Sequence, residues 1–220
     1  MIKNIISILH ENADPVKAPQ MAAYMKNKFP FLGIQKPQRQ QLTKEFIREA
    51  KKRKTVDWDT ITMLWDLPER EFQYLAVDYL IALKNYIKAE DIEKIEKLIT
   101  TKSWWDTVDA IASVVVGQMC RNYPELIESH IMNWAKSSNI WLARTAILFQ
   151  LKYKEKTDID LLSKIIMQNS QQKEFFITKS IGWILREYSK TNQEWVREFI
   201  RNNALQPLSI REGSKYTSSP

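Results

Sequence analysis

The chain has 220 residues, of which 44% are hydrophobic and 27% charged, so it is long enough to bury a sizeable core. Its 33 lysines and arginines against 26 acidic residues give a formal charge of +7, which favours a polyanion such as nucleic acid over a cation or an acidic protein as partner. A single cysteine excludes an internal disulfide framework, and no apolar run approaches the ~20 residues that cross a bilayer. Because the N-terminal apolar run is short and interrupted, we expect a cytoplasmic protein with no membrane partner.

All the predicted elements are helices. Only four glycines occur, most prolines precede apolar-periodic stretches, and strand signals are nearly absent. Helices are predicted at 2–11, 16–28, 37–53, 57–65, 69–85, 89–100, 104–121, 124–136, 140–153, 158–169, 173–189, 193–202 and 207–213. The connections are short and polar, which predicts a single domain over 1–220, with about 214–220 as a flexible tail.

The longer helices resemble one another at a regular spacing. The strings YLAVDYLIA, VDAIASVVV, RTAILFQLK and KSIGWILRE align on Ala76, Ala110, Ala146 and Ser180, which are 34, 36 and 34 residues apart. This spacing is typical of helical-hairpin repeats that bury their apolar faces by stacking. The predicted fold class is therefore all-α, an α-solenoid of HEAT-like repeats with a concave surface.

The stretch KSWWDTVDAIA begins one of these helices. Trp104, Val108, Ile111 and Val115 fall on one stripe and are predicted to lie in the core. Trp105 lies about 100° away and shares a face with Asp109, followed by the small residues Ala112 and Ser113. That face is therefore aromatic, then acidic, and then without large side chains, and Trp105 and Asp109 are predicted to lie on the concave surface.

The two aspartates of this stretch have different expected roles. Ser103 and Asp106 have the spacing of a capping box, so the helix start explains Asp106. Asp109 lies beyond the first turn, where no such explanation applies, and it is the candidate for chemistry. The alternative is a solvated or salt-bridged surface carboxylate.

Two later helices carry unexpected side chains. Arg144 lies on a stripe with hydrophobic residues and needs an anion, either a ligand or an internal Asp or Glu. Trp183 lies with Lys179 and Arg186 rather than on the core stripe, an arrangement that offers a nucleic-acid groove a π face and phosphate neutralisation. The alternative for Trp183 is a partly buried cap on the helical stack.

Other motifs have simpler interpretations. His10 and His130 stand apart with no metal-ligand spacing around them, so neither a metal nor another cofactor is predicted. Cys120 is expected to be a small buried hydrophobe. The basic run from Arg48 to Lys54 is expected to be a solvated helix end.

Several strings match a known family. They are KSWWDTVD, NIWLARTAILFQLKYK, IGWILREYSKTN, AAYMKNKFPFLGIQKP, LWDLPEREFQ and LQPLSIREGSKY. Together they resemble the AlkD-like bacterial DNA alkylation repair glycosylases, from about Met21 to Tyr216. The resemblance implies HEAT-like repeats curved around duplex DNA and a monofunctional glycosylase that removes cationic alkylpurines such as N3-methyladenine and N7-methylguanine. Bulkier cationic adducts are expected to be accepted as well.

The resemblance also implies roles for five residues. Asp109 is similar to the family's catalytic carboxylate, and Trp105 and Trp183 to the aromatic walls around the sugar of the damaged nucleotide. Arg144 resembles the basic residue at the phosphate near the lesion, and Tyr24 the N-terminal aromatic that contacts DNA. Lys179 and Arg186, from their position beside Trp183, complete the predicted DNA-binding set.

The expected partner is therefore double-stranded DNA with alkylated bases, bound by a monomer that is nucleoid-associated when on DNA. Two other classes remain open. One is a catalytically silent helical-repeat protein that binds distorted or branched DNA, and the other is a protein-binding scaffold.

Overall fold

A computed structural model describes residues 2–217, which are helical and contain no strand. The described residues fall into two compact units, with the boundary between Ile87 and Lys88. The all-α fold predicted from the sequence is confirmed. No helix among the described residues has the length and apolar character that a membrane span requires.

The first unit contains five α-helices and one short 3₁₀ helix. They are α1 (Ile2–Glu11), α2 (Ala18–Tyr24), α3 (Lys36–Arg53), α4 (Trp58–Asp66), α5 (Arg70–Ala82) and the 3₁₀ helix Lys84–Tyr86. Proline in the first turn of α2 and α3, and the Asp57 side chain that accepts from Thr60 N–H, explain where these helices begin.

A buried carboxylate fixes the loop before α3. Glu71 is fully buried and accepts hydrogen bonds from the backbone N–H groups of Leu32, Gly33 and Ile34. Gly33 has φ +89°, and a Cβ there would lie 2.1 Å from the Asp14 carbonyl oxygen. The loop therefore needs glycine at this position for both reasons.

The second unit carries the helices that position the candidate site. They are the 3₁₀ helix Ala89–Asp91, α6 (Ile92–Thr100), α7 (Trp105–Ala110), a π-helix (Ile111–Val116), α8 (Gly117–Asn122), a second π-helix (Ile127–Ile131), α9 (Met132–Ala135), α10 (Ile140–Leu148), the 3₁₀ helix Lys154–Lys156, α11 (Ile159–Asn169), α12 (Phe175–Tyr188), α13 (Gln193–Asn202), α14 (Pro207–Gly213) and the 3₁₀ helix Ser214–Tyr216.

The helices of this unit pack in succession. The segment formed by α7 and its π-helix packs against α10, α10 packs against α12, and α12 packs against α14. Ala146 and Ser180, two of the aligned repeat positions, are buried at these contacts. This order is the nearest-neighbour stacking that the repeat spacing predicts.

The helix predicted over 104–121 is interrupted by the π-helix. Val108, Ile111 and Val115 are fully buried as predicted, and the small residues Ala112 and Ser113 are buried as well. Because a π-helix has more residues per turn than the 100° rotation assumes, the face of Trp105 and Asp109 cannot be continued past Ala110 by that rotation.

The C-terminal residues continue the packed structure as far as they are described. Ser214–Tyr216 form the last 3₁₀ helix, and Thr217 is buried. Residues 218–220 of the predicted flexible tail lie outside the described residues. The single domain and the flexible tail stay predictions.

Candidate functional site

A carboxylate and a guanidinium from stacked helices form a closed pair. Asp109 projects from α7 and Arg144 from α10, with Arg144 Nε 2.7 Å from Asp109 Oδ1 and Arg144 Nη2 2.9 Å from Asp109 Oδ2. The Asp109 side chain is 14% exposed and that of Arg144 5%. The structure thus places at Arg144 the internal ion pair that the sequence left as one of two alternatives. Asp109 is salt-bridged and largely buried, with a small part of its side chain accessible.

Arg144 makes one further contact that reaches a third helix. Its Nη1 donates to the carbonyl oxygen of Phe176 in the first turn of α12, and its guanidinium carbon lies 5.8 Å from the centre of the Phe176 ring. One side chain therefore joins α7, α10 and α12. Phe176 was not identified from the sequence, although the adjacent aromatic pair at a helix start is a visible signal.

Burial is the dominant influence on Asp109. It raises the pKa of this carboxyl group above its ordinary value, while the hydrogen bonds and positive charge of Arg144 lower the pKa and the nearby Asp106 charge raises it. The net direction is upward. Arg144 therefore favours the ionised form of Asp109 against the effect of burial.

Three aromatic rings pack next to this pair. The Trp104 ring lies 5.7 Å from that of Trp141 and 4.9 Å from that of Phe176, and the Trp141 and Phe176 rings are 4.9 Å apart. Trp104 lies just before α7 and is half-buried, so it belongs to this cluster rather than to the helical core stripe. The cluster fixes the position of Phe176 and hence of the carbonyl that Arg144 binds.

The expected capping box is absent because α7 begins one residue later than predicted. Ser103 donates its hydroxyl to the carbonyl oxygen of Ile99 at the end of α6, at 2.7 Å. Asp106 accepts from Thr107 N–H at 3.0 Å and lies in the first turn, where it complements the helix dipole. The Ser103 hydroxyl is thus bound to the end of α6 and does not cap the start of α7.

The two tryptophans proposed as aromatic walls are both half-buried. Trp105 is the first residue of α7, one turn before Asp109, and side chains four residues apart share a helix face. Trp183 lies on α12, four residues after Lys179 and three before Arg186. Both positions keep part of the indole accessible.

Lys179 and Arg186 share one acidic partner. Both bind Glu212 of α14, which is only 4% exposed and also binds Lys215. The hydrogen bonds of Lys215 and Lys179 lower the pKa of Glu212 from 4.5 to about 2. Sequence reasoning missed Glu212, which follows Lys179 by about one repeat.

Tyr24 belongs to the first unit. It ends α2 and is 70% exposed. With Phe31 and Tyr74 it lines a pocket of about 290 Å³ in that unit.

No set of three or more His, Cys, Asp and Glu residues within 2–217 could hold a metal ion. Cys120 is 3% exposed, as predicted for a buried hydrophobe, and burial raises the pKa of its thiol to about 12.

Helix pairs that stack in succession, with ionised side chains joining one repeat to the next, define a helical-repeat protein. Within that class the chain belongs to the family described as DNA alkylation repair enzyme, whose model matches residues 5–217.

Two solved structures share the fold. A predicted DNA alkylation repair enzyme from Enterococcus faecalis is 36% identical, with a TM-score of 0.86 over 94% of this chain and 98% of the other. The protein smu.31 from Streptococcus mutans UA159 is 18% identical, with a TM-score of 0.60 over 82% of this chain and 98% of the other, a likeness of fold alone. No curated protein matches the chain.

Proposed function

We propose that the chain is a monofunctional DNA glycosylase that excises cationic alkylated purines, such as N3-methyladenine and N7-methylguanine, from duplex DNA. Family membership supports a role in alkylation repair. The observation that carries the proposal is the environment of Asp109. This largely buried carboxylate lies one helical turn after Trp105 and is bound by Nε and Nη2 of Arg144.

One carboxylate is enough for this substrate class. Hydrolysis of an ordinary glycosidic bond uses an acid to protonate the leaving group and a second carboxylate at the sugar. A purine alkylated at N3 or N7 already carries positive charge, so it leaves without a proton from the enzyme. Asp109 then stabilises the oxocarbenium-like sugar and orients or deprotonates the attacking water.

Arg144 can serve Asp109 and DNA together. A guanidinium has five N–H donors, and the bonds to Asp109 and Phe176 use three of them. The remaining two can meet a backbone phosphate at the nucleotide whose sugar faces Asp109. Arg144 thereby favours the ionised carboxylate and fixes the distance between phosphate and carboxylate.

Trp105 and Trp183 would flank the sugar. An aromatic face attracts a cation by ~0.5 to 2 kcal/mol, which favours the charged sugar and the charged base over neutral ones. We propose that the base is not captured in a pocket and that selectivity comes from the charge and lability of the lesion. Bulky cationic adducts are then accepted, and efficient excision of uracil would contradict the proposal.

The test is release of N7-methylguanine from methylated duplex DNA by wild type, Asp109→Asn and a control, Asp160→Asn. The control makes the same charge change at an exposed residue of α11. Wild type and the control should release the base, and Asp109→Asn should bind DNA without releasing it. Equal release by all three variants refutes the assignment of Asp109.

A second candidate is the catalytically silent DNA-binding protein. The closed pairing of Asp109 with Arg144 favours it, since such a pair can be purely structural. Wild-type binding without release supports this candidate. Absence of DNA binding supports a protein-binding scaffold.

A further inference from the structure

One buried carboxylate anchors three cations at the end of the helical stack. Glu212 Oε1 lies 3.0 Å from Lys179 Nζ, and Glu212 Oε2 lies 3.0 Å from Arg186 Nη1 and 2.9 Å from Lys215 Nζ. Glu212 is 4% exposed, whereas the three cationic side chains are partly exposed. Since one carboxylate neutralises one cation, these ion pairs leave this group of four side chains with a net charge of +2.

The fold brings Glu212 to this position by a close approach of two helices. A Cβ on Gly182 of α12 would lie 2.5 Å from the Cβ of Glu212 and 3.0 Å from the carbonyl oxygen of Ser209. The Ser209 hydroxyl donates to the carbonyl oxygen of Thr178 at 2.8 Å, which ties α14 to α12. Glycine at position 182 is thus required for Glu212 to reach side chains on α12.

The cations lie around Trp183. Lys179 precedes Trp183 by four residues and Arg186 follows it by three, so the three side chains are neighbours on the surface of α12. Lys215 joins them from the 3₁₀ helix after α14. An aromatic face bordered by cations at this spacing fits a sugar with phosphates on either side.

We propose that Lys179, Arg186 and Lys215 form one binding site for successive phosphodiesters of a nucleic-acid backbone, and that Glu212 is the residue that positions them. The inference rests on the proposed function for its DNA partner and adds Glu212 and Lys215 to the residues that serve it. A shared anchor orders three flexible side chains before binding, which reduces the conformational entropy lost when the phosphates arrive.

Lys215 gives the direct test, because it is exposed and its removal leaves Glu212 with two partners. The measurement is the affinity for duplex DNA between about 50 and 200 mM salt, since each phosphate contact contributes about 0.9 to the log–log slope. Lys215→Gln should reduce the slope by about this amount. Lys164→Gln makes the same charge change at an exposed residue of α11 and should leave the slope unchanged.

Glu212 is tested by a double-mutant cycle with Lys215. If Glu212 positions the cation, Lys215→Gln should weaken DNA binding by about tenfold in wild type and by less than about twofold in the Glu212→Gln background. A carboxylate that acts only by long-range charge would give equal effects in both backgrounds, which refutes the positioning role. Thermal unfolding of each variant confirms that the comparison is between folded proteins.

The site and the proposed enzyme fail in different ways. Release of N7-methylguanine by wild type, with no difference in slope between Lys215→Gln and Lys164→Gln, overturns the phosphate site and leaves the glycosylase standing. A reduced slope in Lys215→Gln without any base release supports the phosphate site and overturns the glycosylase. Failure of wild type to bind duplex DNA overturns both.

Discussion

Replacement of Arg144 by glutamine should move the pH dependence of base excision to higher pH. The charged groups that act on Asp109 are Arg144, which lowers its pKa, and Asp106, which raises it, while burial raises it most. In the proposed mechanism excision requires ionised Asp109, so the rate should fall as the pH drops through the pKa of Asp109. Without Arg144 the pKa of Asp109 is higher, so the acid limb of the pH–rate profile moves to higher pH.

The size of the shift follows from the geometry of the pair. Two unit charges ~4 Å apart interact by ~4 kcal/mol at an effective dielectric constant of ~20, and loss of the Arg144 charge removes this attraction from the ionised form of Asp109. Bidentate contacts of 2.7 and 2.9 Å in a nearly buried pair justify the use of that dielectric constant. Burial then acts on Asp109 without the opposing effect of Arg144, so we expect an upward displacement of the acid limb that a pH profile resolves clearly.

The assay is single-turnover release of N7-methylguanine at saturating enzyme between about pH 5 and 9, with enzyme-free DNA as the background. Arg144→Lys keeps the positive charge but loses the paired N–H donors of the guanidinium. The acid limb of its pH–rate profile should therefore move less than that of Arg144→Gln. Asp106→Asn removes a raising influence and should move the limb downward. If Arg144→Gln weakens DNA binding while its limb coincides with wild type, Arg144 serves only the phosphate and the reasoning is wrong.

Three further predictions follow from buried groups. Gly182→Ala should destabilise the protein by ~1 to 3 kcal/mol in urea unfolding, because the alanine Cβ would lie 2.5 Å from Glu212 Cβ. Alanine ordinarily favours a helix over glycine, so a gain in stability would show that α12 and α14 separate easily. Glu212 has a folded pKa of about 2 against an ordinary 4.5, so its stabilising contribution is complete above pH 4.5 and is lost as the pH falls toward 2. Glu212→Gln should therefore be less stable than wild type at neutral pH and lose less on acidification, and parallel pH curves would contradict this. Cys120, whose thiol pKa is about 12, should resist alkylation at pH 8 until the protein is unfolded, and rapid native alkylation would refute its burial.

Local signals account for the helices that the sequence predicted well. Proline in the first turn begins α3 and α14, and Asn192 caps α13, so these helices lie within a residue of the prediction. The segment 104–121 was predicted less well because its π-helix changes the number of residues per turn. The spacing of apolar residues alone does not reveal such a change.

The candidate site was predicted residue by residue but not as a set of contacts. Asp109 and Arg144 were each identified, yet their pairing was only one of the alternatives for Arg144. Their separation of 35 residues is close to the repeat length, so equivalent positions of successive repeats lie side by side. That spacing could have identified the pair. The extra bond from Arg144 to the Phe176 carbonyl depends on tertiary packing and has no counterpart in side-chain patterns.

The contacts of Arg144 also bear on cooperativity. In a repeat protein each unit interacts mainly with its neighbours, so terminal repeats can unfold while the rest stays folded. A guanidinium bonded to α7, α10 and α12 opposes such partial unfolding, because detaching α12 also removes a bond that holds the partner of Asp109. Detachment of α12 at the C-terminal end of the stack should therefore also weaken the ion pair of Asp109. Under conditions that detach α12, the hydrogen-exchange rates of α12 and α7 should rise together.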